Sequence, residues 1–359
     1  MDSVEIGLIT CSPHEEVYSL YGHSAIHYRD YRKGIDAVFN WGVFNYKTPH
    51  FVWRFIFGTT DYELEAVPFR PFCEYYKGWG SQVTEQLLDL TPVEKQRICN
   101  ALAENLKPEN RTYRYNFFYD NCSTRPRNII ENNLEGEVVY EKQPESRQQT
   151  FRQMIHEQMG DHRWSAFGND LLLGFKADLE TTQREQQFLP SNLQLDFMNA
   201  VVVRNGQRQP LVKDDPIVHV ALGEQPFEPG FPLSPFTCAI IFLAINILLF
   251  LLEEYKKKTF RWIDVTLMLA TGLTGCVLLL MLFSQHPATS TNLQILILNP
   301  LSLFFIPSVI RQRKTRWFTL SLYFIIAFFL GDLLQDYAEG MECVALCLLL
   351  RYWRHRHDK

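Results

Sequence analysis

The sequence predicts an α+β domain followed by an all-α bundle of five membrane-spanning helices. Two observations carry that prediction. Residues 1–233 mix charges and aromatics as a domain with its own core does, whereas residues 234–353 are mostly apolar, broken by short basic or polar loops. A mean hydropathy of −0.14 over the whole chain conceals this division. The expected boundaries are an extracytoplasmic domain over 1–223, a linker over 224–235 and a membrane domain over 236–359. The net charge of −5 carries none of the basic excess of a nucleic-acid binder.

The first segment, Ser3–Thr10, reads as a strand with no basic or apolar leader before it, so a signal segment is expected to have been removed or truncated. Ser24–Arg29, a turn at Tyr31–Gly34 and Ala37–Phe44 read as a hairpin. An aromatic stretch (49–58) and another strand, Tyr62–Phe69, follow. Thr91–Leu106 opens with Thr-Pro-Val-Glu, a cap with Pro at the first helical position and Glu at the third, and predicts a helix. The aromatic run Tyr113–Tyr119 reads as strand-like and leads to the corner Asn121-Cys122, after which Thr124–Asn132 starts a helix. Further helices are expected at Gln149–Gln158, at Asn169–Asp178 and from Phe188. A late hairpin is expected around Asn205-Gly206, and Glu224–Pro235 reads as the linker.

Apolar runs at Phe236–Leu252, Ile263–Phe283, Leu293–Ile310, Phe318–Leu334 and Met341–Trp353 predict five spans. Lys256, Lys257, Lys258 and Arg261 follow the first. Arg311, Arg313, Lys314 and Arg316 follow the third, and Arg351, Arg354, Arg356 and Lys359 close the chain. Ser284–Asn292 and Gln335–Glu342 hold no Lys or Arg. The positive-inside rule then puts the N-terminal domain outside and the C-terminus in the cytoplasm.

Cys11, Cys73, Cys99 and Cys122 precede the membrane; Cys238, Cys276, Cys343 and Cys347 lie in it and read as small apolar residues. None forms a Cys-x-x-Cys or Cys/His zinc pattern, so no metal is expected. In an oxidising compartment two of Cys11, Cys73 and Cys99 are candidates for a disulfide.

Cys122 is the candidate nucleophile. It lies between an aromatic run and a probable helix, where helix N–H groups stabilise a thiolate and supply an oxyanion site. Its neighbours Asp120, Asn121, Ser123, Thr124 and Arg125 make a poor apolar core, which weighs against a merely structural cysteine; Asn121, Ser123, Arg125 and Asp120, with His27 and His286, are candidates for substrate or oxyanion contacts. His23, after Gly22, is the candidate base. His27 shares its strand face but sits roughly 13 Å along, too far to orient it. The orienting residue is sought on the next strand, where Asn40 and Asn45 are the polar options. Asn40, inside an apolar run, is preferred, with Asp120 a competitor. Arg125 and Arg127 are candidates for a lipid phosphate, or else a surface pair. In the membrane part, His286 within Gln285–Asn292 and Asn299-Pro300 are candidate headgroup contacts, against an ordinary polar loop. Asp332 and Asp336 read as a solvated span end.

Tyr21-Gly22-His23-Ser24-Ala25 followed about a hundred residues later by Asn121-Cys122-Ser123-Thr124 resembles circularly permuted papain-like folds. With Phe39–Phe44, Leu173-Gly174, Asp178, Phe188-Leu189-Pro190 and the apolar tail, the chain is similar to the Lnb family of Bacteroidetes lipoprotein N-acyltransferases. The resemblance implies a papain-like thiol enzyme in the periplasm, anchored by five spans in the inner membrane. It further implies acyl transfer from a phospholipid, through a Cys122 thioester, to the α-amine of a lipid-modified lipoprotein, with no cofactor. A membrane-anchored cysteine hydrolase and a non-catalytic scaffold are the rival readings; one anchor suffices for the former, and an inert Cys122→Ser substitution would mark the latter.

Overall fold

The computed structural model describes residues 1–16, 19–44, 47–142, 144, 148–225, 230–313 and 315–357. Asn45, Lys314, Lys359 and residues 226–229 of the expected linker lie outside the described residues. The chain forms two compact units, one of 1–149 with 180–228 and one of 150–179 with 229–359. The expected boundaries keep 150–179 with the N-terminal domain. In the structure its side chains pack with the C-terminal helices instead.

In the first unit the chain runs β1 (Val4–Cys11), β2 (His23–Asp30), β3 (Ile35–Val43), α1 (Phe51–Ile56), β4 (Asp61–Pro68), α2 (Phe69–Gly78) and β5 (Val83–Leu87). It continues with α3 (Pro92–Asn105), β6 (Thr112–Arg114), α4 (Thr124–Glu131) and β7 (Glu137–Val139). The second unit contributes α5 (Phe151–Met159) and α6 (Arg163–Leu172) before the chain re-enters the first with α7 (Gln183–Gln186), α8 (Pro190–Asn199), β8 (Val201–Arg204), β9 (Gln207–Pro210) and β10 (Ile217–Val220). The seven-stranded sheet has the order β10-β5-β1-β2-β3-β4-β6, and its pairings are antiparallel. A small sheet, β7-β8-β9, completes the unit.

The large sheet is buried on both faces because its strands carry apolar residues at both parities. Val4, Ile6, Leu8, Ile26, Tyr28 and Trp41 face Ile98 and Leu102 of α3, Ile130 of α4, and Leu193 and Phe197 of α8. Ile9, Cys11, Ala25 and Val38 face Phe69, Phe72 and Tyr76 of α2. The cap at α3 forms as its residues require: Thr91 accepts from Glu94 N, and the Glu94 carboxylate accepts from Thr91 N.

Several elements differ from expectation. Helix α2 and strands β5, β7 and β10 have no clear sequence signal. The run 113–119 pairs only through β6 and a bridge between Asn116 and Asp120. The helix expected at 169–178 is α6, ending at Leu172, followed by a 3-10 turn over Phe175–Asp178. All eight cysteines are free thiols, so the disulfide candidates are unpaired.

In the second unit, α9 (Pro235–Lys256) and α10 (Arg261–Leu282) are each 22 residues long and apolar enough to cross a bilayer. They are followed by α11 (Ser302–Ile310), α12 (Trp317–Gly331) and α13 (Met341–His357). The expected span at 293–310 is not one helix. It is a 3-10 turn over Leu293–Leu296, then the nine-residue α11, because Pro300 cannot continue a helical ladder from 296. Gln294 in that turn is fully buried; its side chain donates to Asp170 O (2.8 Å) and accepts from Ala338 N (3.1 Å). Gln335 donates to Leu173 O and Asn292 to Leu171 O, while Phe167, Leu171 and Leu172 pack on the helical core. These bonds satisfy the irregular backbone inside the protein and draw 150–179 into this unit. Arg152 is buried against Asp170 (2.7 Å) and Asp178 (2.6 Å).

Arg351 of α13, 1% exposed, joins Glu253 at the end of α9 and Asp264 at the start of α10 (2.6 Å). The C-terminal ends of α9 and α13 therefore lie at the same end of this unit.

Candidate active site

The corner before α4 is built by Asn121. Its side-chain oxygen accepts from Ser123 N and Thr124 N (both 2.9 Å), and its amide donates to Phe117 O and Phe188 O (both 2.9 Å). These four bonds fix the turn that holds Cys122. They also correct two expectations: buried Asn121 is a scaffold residue, and the N–H groups of Ser123 and Thr124 are already engaged rather than open to an oxyanion.

A second bond sets the corner against β2. Ser24 Oγ and Ser123 Oγ, both fully buried, are 3.0 Å apart. This places the residues next to them, His23 and Cys122, side by side. The β2–β3 ladder ends at Ile26 and Phe39, whereas β1–β2 continues to Cys11 and His23. Beyond the ladder's end the Ser24 N–H is among the groups that favour the Cys122 thiolate.

Burial works against a thiolate at Cys122, but the His23 charge, the His23 hydrogen bond and the N–H groups of Ser24 and Cys122 outweigh it and hold the thiol below its ordinary value. Burial likewise works against a charged His23; the Cys122 charge and hydrogen bond and the bond to Asn40 overcome it and raise the imidazole. The two directions both favour the thiolate–imidazolium form of the pair. His23 Nε2 is 2.5 Å from Asn40 Oδ1, so Nδ1 is the ring nitrogen not taken by Asn40. Asn40 and His23 lie on the same face of β2–β3, so a side-chain amide inside an apolar strand acquires a partner. The Tyr76 ring stacks on His23 at 6.3 Å.

Two glycines shape the approach. Gly22 (φ 73°) precedes His23, and a Cβ there would lie 2.7 Å from Cys11 O. Gly42 (φ 102°) sits at a bulge between Trp41 and Val43, where a Cβ would lie 3.7 Å from Cys122 Cβ and 3.9 Å from His23 Cε1. Its positive φ, rather than lack of room, demands glycine. Ser24, Gly42 and Tyr76 are absent from the sequence candidates. A glycine inside a strand pattern was the available signal for Gly42.

The other candidates fall elsewhere. His27 is buried with both ring nitrogens occupied, by Glu85 (2.7 Å) and Asp36 (2.6 Å), and the Phe69 ring lies over it at 4.0 Å. It is a core residue, not a substrate contact. Glu85 also bonds His219 (2.6 Å); burial opposes its charge, but the two imidazoles bring it down to about 2. Asp120 does not reach His23 but forms a two-pronged pair with Arg125 (2.7 Å each), and the Arg125 guanidinium lies 3.6 Å over the Tyr113 ring. Both are thereby drawn into the support of the corner. Arg127 is neither a surface residue nor free for phosphate. It is buried and donates to Arg184 O, Gln187 and Asn128. His286 belongs to the other unit, where its backbone N donates to Ser284 and its carbonyl accepts from Thr289. Among the described residues no group of three or more His, Cys, Asp or Glu is arranged to hold a metal ion.

Fold and site together define a class: a mixed α+β domain that sets a half-buried thiol against an amide-tethered imidazole, joined to a unit of apolar helices. Residues 1–157 match the family model described as the Lnb N-terminal periplasmic domain, and residues 226–358 match that described as the Lnb transmembrane domain. The chain belongs to the Lnb family, and is a membrane protein with a periplasmic domain. No curated protein and no solved structure matches it.

Proposed function

We propose that the protein is a lipoprotein N-acyltransferase working through a Cys122 thioester. The single observation that carries the reading is the Asn40–His23–Cys122 constellation, with the imidazole held through Nε2 and interacting with the thiol. In the first half-reaction the thiolate attacks an acyl ester carbonyl of a phospholipid. The S–C bond forms, the ester C–O bond breaks, and imidazolium gives its proton to the departing lysophospholipid oxygen. In the second, the α-amine of a lipid-modified N-terminal cysteine attacks the thioester. An amide forms, the C–S bond breaks, His23 takes the amine proton, and the ion pair is restored. Of the groups at the sulfur, the N–H of Ser24 and of Cys122 are the donors best placed for the developing oxyanion. No cofactor enters.

The finer architecture follows the same reading. The His strand preceding the Cys helix, with an Asn holding the His, supports a circularly permuted papain-like arrangement. Shared placement of the α9 and α13 C-terminal ends supports an odd number of crossings of the inner membrane, five by the apolar runs. Lys256, Arg261 and the basic C-terminal stretch then face the cytoplasm. Both substrates are membrane-bound, and tethering the thiol raises its effective concentration toward them.

The test is intact-mass spectrometry of the full chain after incubation with phospholipid vesicles. Wild type gains one acyl mass, removed by hydroxylamine; Cys122→Ala and His23→Ala gain none. A folded wild type without the adduct overturns the reading.

A further inference from the structure

Helix α1 is anomalous for a periplasmic domain. Its sequence, Phe51-Val52-Trp53-Arg54-Phe55-Ile56, is apolar but for one arginine, yet none of its residues is buried. Val52 is 66% exposed, Trp53 57% and Phe55 51%. The charge of Arg54 is turned back to Asp61 and Thr59 O, so it does not interrupt the exposed apolar surface. Between Asp36 and Asp61 the sequence has no acidic residue, while it holds Lys47, His50 and Arg54. In a chain of net charge −5 this favours an anionic surface. Tryptophan and phenylalanine beside cations are the composition of a segment lying at a bilayer interface.

A row of aromatic rings leads inward from this helix. Phe51 lies 6.2 Å from Phe44, Phe44 5.0 Å from Tyr62, and Tyr62 stacks on Tyr115 at 4.1 Å. Tyr115 lies close enough to Cys122 to feel its charge. The row begins on exposed α1 and ends at Tyr115.

We infer that α1 inserts into the headgroup–acyl boundary of the bilayer, with the Phe51–Phe44–Tyr62–Tyr115 row of rings backing it on the protein side. The insertion of α1 stands independently of the acyltransferase reading. The occupant is the membrane rather than a second protein because the patch presents exposed Val, Trp and Phe in a stretch (37–60) with no acidic residue, its one helix arginine already paired with Asp61, on a chain that carries its own transmembrane domain.

The experiment uses the full chain in nanodiscs of phosphatidylethanolamine with phosphatidylglycerol, on a Cys122→Ala background so that no thioester contributes. A photoreactive benzoyl-phenylalanine replaces Val52 or Trp53, with the exposed Val93 of α3 as control. Irradiation is expected to add a phospholipid mass at 52 and 53 and none at 93. A protein adduct at 52 and 53, whether a second copy or another chain, overturns the inference, as does lipid labelling no greater than at 93. Lipid adducts without a thioester in wild type leave the insertion standing and sink the catalytic reading instead.

Discussion

Replacing Asn40 by Ala removes the partner of His23 Nε2 without touching the sulfur. A hydrogen bond to a charged group contributes about 1.5–3 kcal/mol, and without it the imidazolium keeps its burial cost but loses one of the three interactions that offset it. The His23 imidazolium should then be easier to deprotonate than in the wild type, and about 1.4 kcal/mol lost corresponds to a tenfold change in its ionisation equilibrium. Cys122, held down first by the His23 charge, should rise in parallel. The thiolate fraction at neutral pH, and with it the alkylation rate, should drop on the order of tenfold or more. The assay is the rate of iodoacetamide labelling of the Cys122 peptide as a function of pH in the full chain. Half-buried Cys73, pushed up mainly by burial to about 11, serves as a slow internal reference. Wild-type Cys122 should stay reactive well below the ordinary thiol range, Asn40→Ala should lose the acidic part of that range, and His23→Ala should lose more. Superimposable wild-type and Asn40→Ala profiles beside a shifted His23→Ala profile would refute the positioning role of Asn40.

Ser24→Ala strands the fully buried Ser123 hydroxyl and should cost about 1–3 kcal/mol of stability, whereas Ser24→Ala/Ser123→Ala should recover much of it in a thermal melt. Gly22→Ala combines a positive φ with a 2.7 Å clash against Cys11 O; it should lower the melting temperature and slow Cys122 alkylation together. Glu85 has a depressed folded-state value, so its stabilisation is full above the unfolded value near 4.5 and is lost as pH falls toward about 2. Glu85→Gln should therefore be less stable than wild type by about 3 kcal/mol at neutral pH, with the gap closing across that acid window in paired melts. Arg351→Met removes the guanidinium shared by the buried carboxylates of Glu253 and Asp264 and should cost about 3–5 kcal/mol; equal stability in detergent would show the pair to be dispensable.

The sequence by itself determined the division of the chain, the β1–β3 strands, the α3 cap, and the candidacy of Cys122, His23 and Asn40. These are local signals: an apolar run, a period-two strand, a Thr-Pro-Val-Glu cap, a polar amide where an apolar face is due. Their limit shows at Arg127 and His27, which look exposed or functional in sequence and are buried among partners from distant segments. Only tertiary structure decided that Ser24 meets Ser123, 99 positions away, that Gly42 bulges beside the pair, and that Asn121 spends its side chain on the corner. It also decided that 150–179 joins the second unit, through the Asn292, Gln294 and Gln335 amides that satisfy backbone carbonyls over a hundred residues away. A single side chain carries no record of which remote carbonyl it will satisfy; that pairing is fixed only when folding excludes water from both groups.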